Sequence, residues 1–232
     1  MTGVQTCALP IYTLNILKNF SNINENIFVK TGNVIETISK QKNILARAEL
    51  AETFDSEFGI HDLNKFLGVL SLQKDDPEIE FQGVNILIKN FNGRSKTKYR
   101  TASKDVLLVP PDKKINMGDP EISLSLTAEE IAWVTRIANY LDSPNIGFVS
   151  DGQKVEIQTF DAKDDSADVN VTELNINPDG KKYRMFFATE NLRFLEGAYD
   201  IKIASKGIAH FKHTTVPLEY WVMSETGSKY EG

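Results

Sequence analysis

The sequence predicts an α+β protein made of two similar domains, in which short helices alternate with antiparallel strands. Three observations favour this fold class. Short runs rich in Ile, Val and Phe are bounded by turn residues, as in antiparallel strands. Other segments show the spacing of amphipathic helices, and the order helix, strands, helix, strands occurs twice. The 232 residues are enough for two domains of roughly 100 residues each.

The composition is that of an ordinary globular protein, with 41% hydrophobic and 25% charged residues. No apolar run approaches the ~20 residues of a membrane-spanning helix, so we expect no membrane partner. The formal charge is -6 and is uneven: residues 12–110 carry 13 Lys and Arg against 12 Asp and Glu, whereas residues 111–232 carry 13 against 20. A DNA-binding role would therefore require folding to sort the charges onto separate faces.

The first eleven residues are expected to be foreign to the protein. Residues 2–11 read TGVQTCALPI, which matches the translation of a common sequencing-library adapter, so we interpret residues 1–11 as an assembly artefact. A signal peptide is the alternative, but the segment lacks a basic start. Cys7 is the only cysteine and lies here. The genuine chain should then have neither a disulfide nor a thiol nucleophile, which suits a reducing cytoplasm.

The first half begins with an amphipathic helix over residues 12–23. Its apolar stripe is Leu14, Leu17 and Phe20, and the opposite face carries Asn15, Lys18, Asn19 and Asn22. The runs NIFVKT and NVIETIS should form a hairpin at Gly32, and NILARAEL and FDSEFGI should be strands. A second helix over residues 61–72 has an apolar stripe and a back that is unusually poor in charge. After a turn at residues 74–77, the runs EIEF, VNILIK and KTKYRTA predict three more strands.

A linker is predicted between the halves, because residues 105–120 contain three prolines and lose periodicity after Val109. We assign residues 12–110 to the first domain, 111–120 to the linker and 121–232 to the second domain.

The second half begins with the strand EISLSL. Thr127 and Glu130 then form a capping box that predicts a helix over residues 127–142. Strands follow at IGFVS, KVEIQTF, ADVNVTEL and YRMFFA. A short helix is expected around residues 189–195, and the runs YDIKIA, IAHFKH and LEYWVM predict three final strands.

The residues do not predict an enzyme, and no cofactor is expected. The three histidines, His61, His210 and His213, show no zinc-ligand pattern. The acidic runs at residues 74–76 and 161–168 lack the basic or apolar surroundings that would adapt a carboxyl group to act as a general acid. Phosphate-binding loops and nucleophile elbows are absent from the sequence. A metal-dependent enzyme using the acidic loops is a weak alternative.

Basic residues on the predicted helices favour a binding function. Each of four helices carries one cation opposite its apolar stripe: Lys18, Lys65, Arg136 and Arg193. Any one of them is as well explained as a solvated surface charge. Together they are accompanied by small polar side chains, with few acids in an acidic chain, which suits contact with DNA phosphates without base reading.

Four blocks of the sequence resemble successive segments of the sliding clamps of T-even-type bacteriophages, the processivity factors of their DNA polymerases. The blocks are LNILKNFSNINENIFVKTG, FGIHDLNKFLGVLSLQKDDPEI, LTAEEIAWVTRIANYLD and ENLRFLEGAYDIKIASKG. They occur in the family's order and span nearly all of residues 13–224. The resemblance implies two similar domains of the processivity fold in each subunit, and a head-to-tail homotrimer whose helices line a central hole and whose antiparallel sheets form the outer wall.

The resemblance also implies function and partners. The ring would encircle double-stranded DNA independently of sequence and tether the replicative DNA polymerase in the cytoplasm of the infected host. An ATP-driven clamp loader would open the ring, and late-transcription factors would also use it. Carried onto this sequence, Lys18, Lys65, Arg136 and Arg193 would face the duplex, although relatives have a small residue at the position of Lys65. The alternative is a non-enzymatic phage structural or assembly protein with two β-rich domains.

A pocket for partner peptides is the second expected site. Apolar residues open the linker and others follow near the C-terminus, where hydrophobic anchors of a partner could insert. Alternatively, these residues complete the cores of the two sheets. The candidate pocket residues are Ile44, Leu107, Leu108, Val109, Leu218 and Trp221, with Tyr220 beside them.

Overall fold

The computed structural model describes residues 6–8, 10–73, 78–90, 94–113 and 115–232. The chain divides into two compact units, unit 1 at Met1–Asp112 and unit 2 at Lys113–Gly232, so the division falls within the segment assigned as linker. Both units combine helix with antiparallel sheet, and the α+β class is confirmed. The predicted turn at residues 74–77 lies outside the described residues. None of the described helices has the length and apolar character needed to cross a bilayer.

Unit 1 packs two helices against antiparallel strands. The strands β1, β6, β7 and β8 form one sheet in that order, β3 pairs with β4, and β2 pairs with β5. The elements are β1 (Thr6–Ala8), α1 (Ile11–Ser21), β2 (Ile27–Val29), β3 (Gly32–Ile38), β4 (Ile44–Phe54), β5 (Phe58–Ile60), α2 (Leu63–Leu72), β6 (Glu78–Gln82), β7 (Asn85–Lys89), β8 (Lys96–Arg100) and a 3-10 turn (Lys104–Val106).

The hairpin predicted at Gly32 is wrong. Gly32 does adopt a positive φ of 115°, but β2 pairs with β5, placing Ile27 opposite Ile60. All three residues of β2 are buried, so the strand is held by the core on both faces. A local turn signal could not reveal this partner, which lies about thirty residues further along the chain.

Unit 2 repeats the combination of helix and sheet. The strands β12, β11, β10, β13 and β17 form one sheet in that order, and β16, β15, β14 and β9 are successive neighbours in another. The elements are β9 (Ile122–Leu126), α3 (Ala128–Tyr140), β10 (Asn145–Asp151), β11 (Val155–Phe160), β12 (Asn170–Glu173), β13 (Lys182–Ala188), a 3-10 turn (Thr189–Leu192), β14 (Tyr199–Ala204), β15 (Ile208–His213), β16 (Leu218–Met223) and β17 (Lys229–Tyr230).

The capping box predicted for α3 is present. The Thr127 hydroxyl accepts a hydrogen bond from the Glu130 backbone N–H at 3.2 Å, and the Glu130 carboxylate accepts from the Thr127 backbone N–H at 2.8 Å. Two backbone donors at the start of the helix are thereby satisfied, which fixes where α3 begins.

The helix predicted around residues 189–195 is only a single 3-10 turn over Thr189–Leu192. Phe194 leaves the turn to stack on Tyr220, with ring centroids 4.3 Å apart, and also contacts Phe211. The Tyr220 hydroxyl accepts a hydrogen bond from the Leu195 backbone N–H at 3.1 Å. Aromatic packing in the core therefore ends the helix earlier than the local sequence indicates.

Candidate nucleic-acid interface

Helix α1 presents Lys18 to solvent, as predicted. Ile16, Leu17 and Phe20 form its buried side and hold the helix on unit 1. Asn15 and Asn22 are exposed with Lys18, but Asn19 is buried, contrary to its predicted outward position. The buried stripe is wider than the leucine spacing indicated, because Ile16 enlarges it.

Helix α2 presents Lys65 to solvent in its first turn. The Asp62 carboxylate caps the helix by accepting the Lys65 backbone N–H at 2.8 Å, while the Lys65 side chain remains exposed. Leu63, Phe66 and Leu70 face the core. The exposed side continues along the helix as Asn64, Gly68, Ser71 and Leu72.

Helices α1 and α2 contact each other within unit 1, so Lys18 and Lys65 lie on adjoining helices. Neither helix contains an aspartate or a glutamate. Cations on these two helices are therefore not neutralised by acids of the same helix, an arrangement that favours an anionic partner.

In unit 2, Arg136 lies on the exposed side of α3. Its Nε donates a hydrogen bond to the Ala132 carbonyl at 3.2 Å, which holds the guanidinium near the helix surface. Arg193 is exposed directly after the 3-10 turn, and this turn contacts α3. Structure thus places both arginines on neighbouring elements of unit 2, at exposed positions.

Sequence reasoning missed two exposed aromatic residues on α3. Trp133 is 48% exposed and Tyr140 is 84% exposed. They flank Arg136 at positions i, i+3 and i+7, which places all three on one stripe of the helix. This spacing is visible in the sequence, but large apolar side chains of an amphipathic helix usually face the core, so periodicity gives no signal that these two are exposed.

The first group of pocket candidates lies where the first domain meets the predicted linker. Ile44 is 5% exposed and Leu107 9% exposed, so both belong to the core of unit 1, which is the alternative that the sequence left open. Leu108 and Val109 are half-buried, and the Leu108 backbone N–H donates to the Asn26 side chain at 3.2 Å. Only these last two expose apolar surface to a partner.

The second group lies on β16. Leu218 is 1% exposed and Tyr220 is fully buried, so both are core residues of unit 2, which is the alternative that the sequence left open. Strand alternation turns Trp221 to the other face, where it is half-buried and stacks on His210 with ring centroids 4.8 Å apart. His210 Nε2 also lies 2.7 Å from the Glu219 carboxylate.

The described residues contain no group of three or more His, Cys, Asp and Glu that could hold a metal ion. His213 is buried, with its Nε2 3.2 Å from the Glu196 carbonyl and its Nδ1 accepting the Thr215 backbone N–H at 3.1 Å. In the acidic segment 161–168, hydrogen bonds from Ser166 lower the pKa of Asp164 below its ordinary value. The acidic run at residues 74–76 lies outside the described residues.

Two edge strands, one in each unit, differ in the charge around them. In unit 1, β8 is the last strand of its sheet and exposes Lys96, Lys98 and Arg100 on one face. In unit 2, β12 is the last strand of its sheet, follows the acidic segment 161–168, and exposes Val171 and Glu173. Edge strands present a row of backbone groups that another chain can pair with.

Comparison with known proteins gives three concordant results. A family model described as DNA polymerase processivity factor matches residues 11–108. The sliding clamp of Enterobacteria phage T4 is 30% identical over 198 residues, which cover 84% of this chain and 86% of that protein. The sliding clamp of Vibrio phage KVP40 is 25% identical over 221 residues, which cover 92% of this chain and 96% of that protein.

The fold is also similar to that of solved structures. Archaeal PCNA from A. fulgidus, solved with the C-terminal region of FEN-1 bound, superposes with a TM-score of 0.68 over 93% of this chain and 96% of that chain, at 12% identity. At this identity the likeness concerns the fold alone. The phage relatives show the family, and the alternative of a phage structural or assembly protein is therefore rejected. The chain therefore belongs to the sliding clamps of T4-like phages, which are DNA polymerase processivity factors.

Proposed function

We propose that three copies of this chain close into a ring that encircles duplex DNA and tethers the phage replicative polymerase to its template. The observation that carries the proposal is the position of the predicted cations: Lys18, Lys65, Arg136 and Arg193 are all exposed on or beside helices, in a chain with a formal charge of -6. A closed ring does not leave duplex DNA sideways, so a weak and sequence-independent attraction to phosphates is enough for lasting association.

Self-association is supported by the edge strands β8 and β12. β8 exposes a row of three cations, whereas β12 lies beside the acidic segment 161–168. Pairing of β8 from one copy with β12 of the next would satisfy both backbone edges and bring opposite charges together. Such a contact is heterologous, since it joins two different surfaces, and a heterologous contact closes into a ring when its rotation permits.

Docking of partners is proposed at the half-buried apolar residues, namely Leu108 and Val109 after the 3-10 turn of unit 1, and Trp221 on β16. These are two separate candidate positions, one in each unit. At either of them, a peptide with hydrophobic anchors from the polymerase, the ATP-driven clamp loader or a late-transcription factor would bind. Ile44, Leu107 and Leu218 are buried and are not proposed to contact the peptide.

The protein itself is proposed to catalyse no reaction and to need no cofactor, because its task of tethering is mechanical. The loader would supply the energy that opens the ring. The clamp would work where phage DNA is copied, in the cytoplasm of the infected host.

The proposal is tested by the double variant Lys18→Glu/Arg136→Glu. With the cognate polymerase and loader on primed circular DNA, we expect product length to fall at least ~tenfold, since phosphate attraction becomes repulsion. Lys202→Glu/Lys206→Glu is the matched control, because it also reverses two charges, at exposed positions on β14 and in the turn after it. Light scattering should show the parent's mass for both variants. Equal activity of the double variant and the parent would contradict the placement of these cations at the duplex.

A further inference from the structure

The exposed stripe of α3 combines two aromatic rings with one cation. Among the exposed large hydrophobic side chains of the described residues, Trp133 and Tyr140 are the only aromatic ones, and they lie on the same helix. Arg136 lies between them. Val134 and Ala138 occupy the opposite, buried side, so the rings are not needed to hold α3 on its unit.

We propose that Trp133, Arg136 and Tyr140 form a binding site for single-stranded DNA, in which unpaired bases stack on the two rings and Arg136 attracts the backbone. Encirclement of duplex DNA does not require such a site. An unpaired base presents an open face to an aromatic side chain, whatever its sequence. In a duplex the bases are covered by their neighbours, and a helix lying along the outside meets phosphates and sugars.

Charge favours a nucleic-acid strand over a second protein surface as the occupant of the stripe. Covering Arg136 with protein would remove a cation from water and requires a carboxylate from the partner to offset this cost. A DNA strand brings a phosphate for every base that stacks. Glu129 is also exposed, one turn before Trp133, and opposes phosphates at that end. The strand should therefore cross the stripe nearer to Arg136 and Tyr140.

Such a site gives the clamp a second way to contact DNA. Beside a primer end the template is single-stranded, and its unpaired bases would bind the stripe, while the duplex behind them passes with phosphate contacts alone. A clamp that reaches a single-stranded gap would then be held there instead of sliding on.

The site is tested with fluorescein-labelled oligothymidylate and a duplex of equal length, by fluorescence anisotropy. In Trp133→Ala/Tyr140→Ala, affinity for the oligothymidylate should fall at least ~tenfold, which corresponds to the loss of one good stacking contact. Affinity for the duplex should stay within about twofold. Trp133→Phe/Tyr140→Phe keeps both rings and should retain single-strand binding. Glu129→Gln should strengthen it, because the opposing charge is removed.

Val84→Ala is the matched control, since it truncates an exposed apolar residue in unit 1. An equal loss for duplex and single strand, or no loss for either, overturns the inference. A lower particle mass of Trp133→Ala/Tyr140→Ala in light scattering overturns it as well, because the stripe would then be packed against a second copy. Stimulation of polymerase by the parent protein reports separately on the ring, so failure of the single-strand site alone is distinguishable.

Discussion

Tyr183 is a residue whose burial has a measurable electrostatic effect. It lies on β13 and is almost fully buried, and this burial, followed by the nearby negative charge of Asp179, raises its pKa to about 12. In an unfolded chain a tyrosine ionises near pH 10. Below pH 10 both states carry the neutral phenol. Between pH 10 and 12 the unfolded state gains a charge that the folded state resists, so stability falls as pH rises.

Tyr183→Phe should remove this dependence on pH. We expect the parent's free energy of unfolding, measured by urea denaturation, to decrease by at most about 3 kcal/mol more than that of the variant between pH 9 and 12. Tyr140→Phe, which removes the phenol of an exposed tyrosine, is the control variant. A Tyr183→Phe slope identical to the parent's would show that the phenol ionises as readily in the folded protein as in the unfolded one.

Also at the scale of single residues, helical periodicity predicted which cations are exposed, but it did not place every residue beside them correctly. Lys18 and Lys65 lie opposite strong apolar stripes, and a long charged side chain has no stable place in a core. Asn19 was misplaced because a short polar side chain can be buried when its groups are bonded, which periodicity does not register. Trp133 was overlooked because hydrophobic character predicts burial only on average.

At the scale of elements, features that depend on neighbouring residues were predicted correctly, whereas features that depend on residues distant in the chain were not. The capping box at Thr127 depends on residues three positions apart, so it was visible in the sequence. The partner of β2 and the early end of the turn at Leu192 depend on residues distant in the chain, and tertiary packing decides such cases.

Removing the cap of α3 should lower the free energy of unfolding without preventing the protein from folding. Thr127→Ala deletes the hydroxyl that accepts the Glu130 backbone N–H, and we expect a loss of about 1 kcal/mol in the free energy of unfolding. Chemical denaturation at matched protein concentration measures it. Ser123→Ala, at an exposed position of β9, is the control and should change stability by less than about 0.5 kcal/mol. No difference between the two variants would mean that water caps the helix equally well.

The edge strands permit a test of self-association by charge exchange. Lys96→Glu/Lys98→Glu/Arg100→Glu on β8 should weaken assembly at least ~tenfold, because acidic side chains would then meet the acidic segment of the next copy. Asp165→Lys/Asp168→Lys/Glu173→Lys should weaken it likewise. A chain with both sets of changes should assemble again, as analytical ultracentrifugation would report. Failure of the combined chain to recover would place the contact elsewhere.

At the scale of the whole molecule, the fold class was predictable because two sets of elements follow one another with separate hydrophobic patterns. The charge arrangement was not predictable from composition, since it depends on which strands become sheet edges. β8 of unit 1 carries three exposed cations, whereas β12 of unit 2 follows the acidic segment 161–168. The two units are alike in that each combines helix with antiparallel sheet.

If the clamp is held by encirclement, its lifetime on DNA should depend on whether the DNA has free ends. Clamps loaded on circular DNA should remain bound at least ~tenfold longer than on the same DNA after one restriction cut, because a ring slides off free ends while its contacts with phosphates stay unchanged. Gel filtration of the labelled clamp with DNA measures retention, and a cut circle whose ends are blocked by a bound protein is the control. Equal lifetimes on circular and cut DNA would mean that contact, not closure, holds the clamp.

The close approach at Gly59 couples two parts of unit 1. A Cβ at Gly59 would overlap the Leu107 side chain and the Ala102 carbonyl, and the Ala102 backbone N–H donates to the Gly59 carbonyl at 2.9 Å, so the segment before Leu108 packs directly on β5. β5 leads within three residues to Leu63, the first residue of α2. A partner docked at Leu108, as proposed above, would therefore pull on β5 and, three residues further on, on the start of α2, the helix that carries Lys65. The pull of the partner at Leu108 and the drag of DNA at Lys65 would then act on the same part of unit 1.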